Sequence, residues 1–219
     1  MSTNSTSKPA STAAGLANRG PLEQLKAGRM PERLARLGIG LWLYGLSVAL
    51  MIRGAVGASP WDVFHQGAAL HLPMSFGVVM ILASVVVLLA WIPLKQMPGL
   101  GTVANTLLIG PFADLNLAMI ATPDSIVWRV AFMLAGVLVC AFATGLYIGA
   151  QLGPGPRDGL MTGLARRTGR SIRLVRTIIE VGVLIAGVVL GGVFGVGTIV
   201  FALGVGPVTQ YFLRRLVVA

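Results

Sequence analysis

Thiols, imidazoles and charge are all scarce in this chain. Its one cysteine, Cys140, excludes an internal disulfide and a thiolate metal site. Its two histidines, His65 and His71, are six residues apart, which fits neither the i,i+3 nor the i,i+4 spacing of a ligand pair on one helix face. Only 11% of the 219 residues are charged, against about 25% in an ordinary soluble domain. No GxSxG, HExxH, P-loop or paired-carboxylate arrangement occurs, so the chain offers an enzyme no nucleophile, metal or acid–base couple. The expectation is therefore no catalytic residue, no metal and no cofactor.

What the chain has instead is apolar mass. Fifty-five per cent of its residues are hydrophobic and its mean hydropathy is +0.83. Such a composition cannot solvate a surface in water, and several runs reach the roughly 20 residues that a bilayer crossing needs. An all-α, polytopic integral membrane protein is expected. The formal charge of +10 raises nucleic acid as a partner, but placement argues otherwise. Nearly all the basic residues sit in residues 1–36, in 157–176 and at the C-terminus, beside apolar spans. That pattern reports topology, and the lipid bilayer rather than nucleic acid is the expected partner.

Residues 1–20 are rich in Ser, Thr and Ala without an apolar core and read as disordered, with no signal-peptide h-region before residue 37. Residues 21–36 set Lys26, Arg29, Arg33 and Arg36 among leucines, a basic juxtamembrane segment suited to an anionic lipid face or, equally, to a solvated juxtamembrane helix. Apolar spans are expected at about 37–52, 72–94, 99–114, 126–149, 172–190 and 198–213. Arg53 is placed to snorkel to the interface at the end of the first. The last two spans come from one uncharged run of 33 residues, 181–213, which as a single helix would measure about 50 Å. That exceeds a hydrocarbon core of roughly 30 Å, so the run must fold back, and the glycines of "GGVFGVG" at 191–197 mark the reversal.

The stretches "GASPWDVFHQG" at 57–67 and "GPGPRDGLMTG" at 153–163 share Gly, Pro, Asp and Gly at one spacing, 96 residues apart. The same offset aligns Ser75 with Ser171, "GLGT" at 99–102 with "GVGT" at 195–198, and Gly110-Pro111 with Gly206-Pro207. Residues 37–117 and 133–213 then agree at about 22 of 81 positions without a gap. Each copy holds three spans, an odd number, so the second must enter the bilayer from the opposite side. Lys and Arg favour the cytoplasmic face, and placing both termini there puts Lys95, the arginines of 157–176, Arg214 and Arg215 on that side. The expected plan is six transmembrane helices in two inverted-topology three-helix repeats, 37–125 and 126–219, preceded by a cytoplasmic tail, 1–36. Each repeat has a short additional helix after its first span, at 60–71 and 156–168. Repeats of this kind are common in secondary transporters, with substrate sites near the midplane between the copies.

Several side chains are candidates for that pathway. Asp62 and Asp158 each fall at the third position of a short helix, where N-capping and the helix dipole explain them fully; the functional alternative presents the helix ends to a pathway. Glu180 is the one acidic residue well inside a span, either a proton or cation carrier or the partner of Arg176 one turn earlier. Asn105, Asp114 and Gln210 are polar within spans, as interhelical hydrogen-bonding groups or pathway lining. Arg157, Arg166, Arg167, Arg170, Arg173 and Arg176 form a basic cytoplasmic loop.

The layout "GASPWDVF", "GLGT" and "GP" in one half, with "GPGPRDGL" and "GVGTIVFALGVGP" in the other, resembles the YczE/YyaS/YitT-type bacterial membrane proteins over about residues 37–215. The resemblance implies a bacterial cell membrane location and carries no catalytic residue with it. Two functions follow from the whole. One is a small-molecule secondary transporter or exporter of unknown substrate, with or without pairing as a homodimer. The other is a membrane accessory or anchor protein that docks a cytosolic partner on the basic loop.

Overall fold

A computed structural model describes residues 28–218. The expectation for residues 1–20, and for residues 21–27 of the basic segment, lies outside that range. Nine helices, and no strand, are present among the described residues: α1 Met30–Gly54, α2 Pro60–Ala69, α3 Phe76–Leu89, α4 Trp91–Leu94, α5 Leu100–Met119, α6 Ile126–Gly149, α7 Pro156–Thr168, α8 Ile172–Val189 and α9 Val196–Leu216. Four segments are long and apolar enough to cross a membrane: Met30–Gly54, Phe76–Leu94, Ile126–Gly149 and Val196–Leu216. The other two expected spans are helices of 20 and 18 residues, but α5 carries Asn105, Asp114 and Asn116, and α8 carries Arg173, Arg176 and Glu180.

Local signals set the helix starts. Ser59, Ser75, Ser125 and Ser171 are N-caps whose hydroxyls accept backbone N–H groups in the first turn. α5 and α9 begin at Gly99 and Gly195, whose N–H groups donate to Thr102 Oγ1 at 3.1 Å and Thr198 Oγ1 at 3.4 Å. The "GLGT" and "GVGT" segments are thus helix openings. The chain also reverses where the glycines of 191–197 allow it, with Gly191 at φ 88°.

The start of α1 departs from expectation. The first span was placed from Leu37, after a basic segment facing lipid or forming a solvated helix, yet one continuous helix begins at Met30 and buries Arg33. Arg33 Nη1 donates to Ala150 O at 3.0 Å, at the end of α6, and Arg36 Nη1 donates to Leu216 O at 2.5 Å, at the end of α9. Unpaired carbonyls at two helix C-termini attract cations through hydrogen bonding and the helix dipole. Arg53 does likewise for Leu117 O near the end of α5.

The core is built around a crossing of α1 and α6. A Cβ at Gly40 would meet Tyr147 and Ala143, and one at Gly136 would meet Met51 and Ser47. Rising numbers in one helix meet falling numbers in the other, so the two run antiparallel. On either side, α5 packs against α1 and α9 against α6. Two buried clusters result, one with Leu37, Leu41 and Ile109, the other with Met133, Val137 and Val205. Each of these three residues of the first lies 96 positions before its named counterpart in the second.

The short helices cross over between the halves: α2 seats on α8, and α7 on α3 and α4. The backbone around them repeats in detail. Gly101 N donates to Leu152 O at 2.6 Å, and Gly197 N donates to Val56 O at 2.8 Å. Positive φ angles recur as pairs at the sequence offset, Ala55 and Gln151 at 52° and 55°, and Gly57 and Gly153 at 114° and 116°. At Gly57 and Gly153 a side chain would be strained and would also strike Thr198 or Thr102. Outside the core the surface is apolar: Val86, Val127, Trp128, Val189 and Leu203 are each more than three-fifths exposed. Continuous apolar exposure on this scale suits lipid.

Candidate functional site

Two neighbouring cavities lie at the α1–α6 crossing, sharing Tyr44, Arg157, Asp158, Arg176 and Phe201 in their walls. The larger has a volume of about 180 Å³ and takes side chains from α1, α3, α5, α6, α7, α8 and α9, including Asn105, Thr144 and Tyr147. The smaller, about 70 Å³, lies between the first residues of α2 and α7 and reaches Glu180. Drug-sized ligands take roughly 300–1,000 Å³, so this space suits a small solute or an ion with water.

Both Pro-x-Asp segments converge here because each starts a short helix pointing its N-terminus at the crossing. At α2, Ser59 Oγ accepts from Asp62 N at 3.2 Å while its hydroxyl donates to Asp62 Oδ2. Asp62 Oδ1 lies 3.6 Å from His65 Nδ1, and both groups are buried. Trp61, Phe64 and Phe76 surround the imidazole with ring centroids 6.3, 5.8 and 5.9 Å away. At α7, Gly155 replaces the serine, and Asp158 Oδ2 accepts from the Tyr147 hydroxyl at 3.0 Å. Arg157 lays its guanidinium over Trp61, 4.8 Å from the ring centroid, joining the two helix starts.

The two carboxyls are tuned apart. Burial pushes Asp158 above its ordinary value, although the Tyr147 hydroxyl and the Arg176 and Arg157 guanidiniums pull the other way. At Asp62 burial also acts upward, but the His65 ring, Arg157 and the Ser59 hydroxyl outweigh it and hold the carboxyl below its ordinary value. Burial lowers His65, against the attraction of Asp62.

The candidates named from sequence separate. Asp158, Asn105, Arg157 and Arg176 line the larger cavity, and Glu180 lines the smaller. Asp62 lies immediately behind Trp61 at the same helix start. Asp114 is elsewhere: it accepts from Ser75 Oγ at 2.5 Å and Gly77 N at 2.8 Å, tying α5 to the start of α3. Gln210 is exposed on α9. Glu180 accepts from Arg176 Nε at 2.8 Å, the ion-pair alternative weighed above. The basic loop divides, since Arg157 and Arg176 face the cavities while Arg166, Arg167, Arg170 and Arg173 remain on the exposed surface. Tyr44, Tyr147 and Thr144 were not singled out from sequence; tyrosine and threonine inside a span carry no distinctive signal without the crossing that groups them. Among the described residues no three or more His, Cys, Asp or Glu side chains assemble as a metal site.

Long apolar helices, an apolar outer surface and a polar centre define an integral membrane protein with several membrane-crossing helices. Within that class the chain belongs to DUF6198, a family of unknown function, which it matches over residues 31–214. It is 40% identical over 183 residues to an uncharacterized protein of Haemophilus influenzae, covering 84% of each chain. It is 31% identical over 178 residues to the uncharacterized membrane protein YczE of Bacillus subtilis, covering 80% of this chain and 83% of that one. With YyaS of the same organism the identity is 24% over 166 residues, covering 74% and 83%. The resemblance to YczE and YyaS read from the motifs therefore holds. No solved structure matches the chain.

Proposed function

We propose that the protein is a small-solute secondary transporter, built as two inverted three-helix repeats with six spans and both termini in the cytoplasm of a bacterial cell. The observation that carries this reading is the antiparallel crossing of α1 and α6 over a polar cavity, flanked by reciprocal contacts at the 96-residue offset. Inverted repeats place a binding site near the midplane and allow one unit to rock against the other. Tyr44 and Cys140, repeat mates near the middle of their helices, both line the cavity. In this reading α5 and α8 complete the six spans, with their polar groups directed to protein contacts and the cavity rim. The protein is a carrier rather than an enzyme.

Reconstituted liposomes test the transport step: solute uptake or counterflow above protein-free vesicles is the expected result, and its absence across small anions, cations and neutral solutes counts against it. Topology is tested with Leu70→Cys and Arg166→Cys, exposed repeat mates at the far ends of α2 and α7, in a Cys140→Ala background. Impermeant thiol reagents should reach them from opposite compartments. Labelling from one side removes the inverted repeat.

A second reading has its own observation. Arg166, Arg167, Arg170 and Arg173 stay exposed around the α7–α8 junction, a surface suited to an acidic cytosolic partner in an accessory protein. Neutralising Arg166 and Arg170 would abolish partner binding in that case and leave solute flux intact in the first.

A further inference from the structure

The two guanidiniums in the larger cavity differ in what holds them. Arg176 is matched by Glu180 at 2.8 Å. Arg157 is half-buried, and among the described residues no carboxylate comes within 4.0 Å of it. Its contact is the face of Trp61, which attracts the cation but accepts none of its N–H groups in the plane. The acids at the two helix starts each hold a hydroxyl, Asp158 Oδ2 that of Tyr147 and Asp62 Oδ2 that of Ser59, and each also sits at the positive end of its own helix. A partly desolvated guanidinium with its fork of donors open is suited to a planar carboxylate, which it can bind with two parallel hydrogen bonds.

We propose that the larger cavity binds the carboxylate of a small organic acid, with Arg157 as the anchoring cation and Asn105 and Thr144 as polar wall. As the transported solute, this acid rests on the carrier reading above; as a bound ligand it does not. Volume limits the acid to a few heavy atoms beyond the carboxylate, since about 180 Å³ is well below a drug-sized site. One open guanidinium matches one negative charge, whereas a dianion such as phosphate would bring a second charge up against Asp158 and Asp62.

The test uses the full-length chain in detergent and acetate as the probe, read by tryptophan fluorescence and thermal shift. Acetate should bind saturably and perturb a fluorescence signal that Trp61→Phe removes. Arg157→Gln should weaken binding about tenfold or more, while Arg170→Gln, on the exposed surface, should leave it within about twofold. Glu180→Gln is the second variant: it frees Arg176 at the cavity wall and should tighten acetate binding several-fold. The proposal is overturned if acetate does not saturate, if Arg157→Gln leaves its affinity unchanged, or if methylammonium or inorganic phosphate competes better than acetate. Should Arg157→Gln not fold, unchanged affinity in Glu180→Gln overturns it alone. Arg157-dependent binding without acetate flux in liposomes removes the carrier reading and keeps the site; flux of another solute without acetate binding does the reverse.

Discussion

The two short helices begin with the same Pro-x-Asp geometry yet meet different surroundings. α2 is the more enclosed, with Ser59, Pro60 and Trp61 reaching only the smaller cavity: Pro60, Trp61, Asp62, Val63 and His65 are buried, and its glycine-lined face touches backbone, with Gly187 against Phe64 and Gly192 against Val63 O. α7 opens on the larger cavity, and its glycines meet side chains instead, Gly159 the Trp91 ring and Gly163 the end of Gln96. A repeated backbone therefore fixes where the helices start, while the side chains facing each start decide whether it becomes core or lining.

The largest expected effect tests the packing half of that contrast. Gly187→Ala puts a methyl group into rigid backbone and should cost about 2–3 kcal/mol in detergent unfolding, whereas Gly163→Ala asks only that the Gln96 and Leu94 side chains shift and should cost under about 1 kcal/mol. Equal losses would break the comparison. Next come the aspartates. Asp62→Ala leaves the buried Ser59 hydroxyl without its acceptor and should lose about 1–2 kcal/mol; Asp158→Ala, beside a cavity where water replaces the lost carboxyl, should lose less and alter solute binding more.

A smaller effect sharpens the difference through pH. His65 is held below its ordinary value of 6.5, so the unfolded chain takes up a proton first as pH falls. Stability should therefore decline below about pH 6.5 towards the lower folded value. His65→Met, the residue at its repeat mate Met161, should flatten that part of the acid limb in a melting-temperature series; an unchanged slope would move the effect elsewhere. The smallest change in stability is expected for Glu180→Gln, within about 0.5 kcal/mol, because its pair with Arg176 is partly exposed.

Much of the scaffold was legible because its signals are local. Ile126–Gly149 follows from Ser125 and one apolar run, and the starts of α2 and α7 follow from Ser-Pro and Gly-Pro. The start of α1 was misplaced by seven residues because Arg33 and Arg36 look like solvated charge until the carbonyls of Ala150 and Leu216 arrive from far along the chain. The site shows the same divide. Asp158 was visible through its repeat mate, but Asp114 and Asn105, both plain polar residues on α5, were indistinguishable until one capped α3 and the other reached the cavity. Nor does spacing reveal that Tyr147 will meet Asp158 or that Arg157 will cover Trp61.

The exchange of short helices between the halves has a consequence for biogenesis. When the ribosome has made the chain only as far as residue 125, α2 still lacks α8, and Val56 O still lacks the amide of Gly197. The first half must wait in the lipid with its seat vacant until the last two helices emerge. Maturation should therefore finish only when α8 and α9 emerge, and a chain truncated before α8 should be recognised as unfinished by membrane proteases.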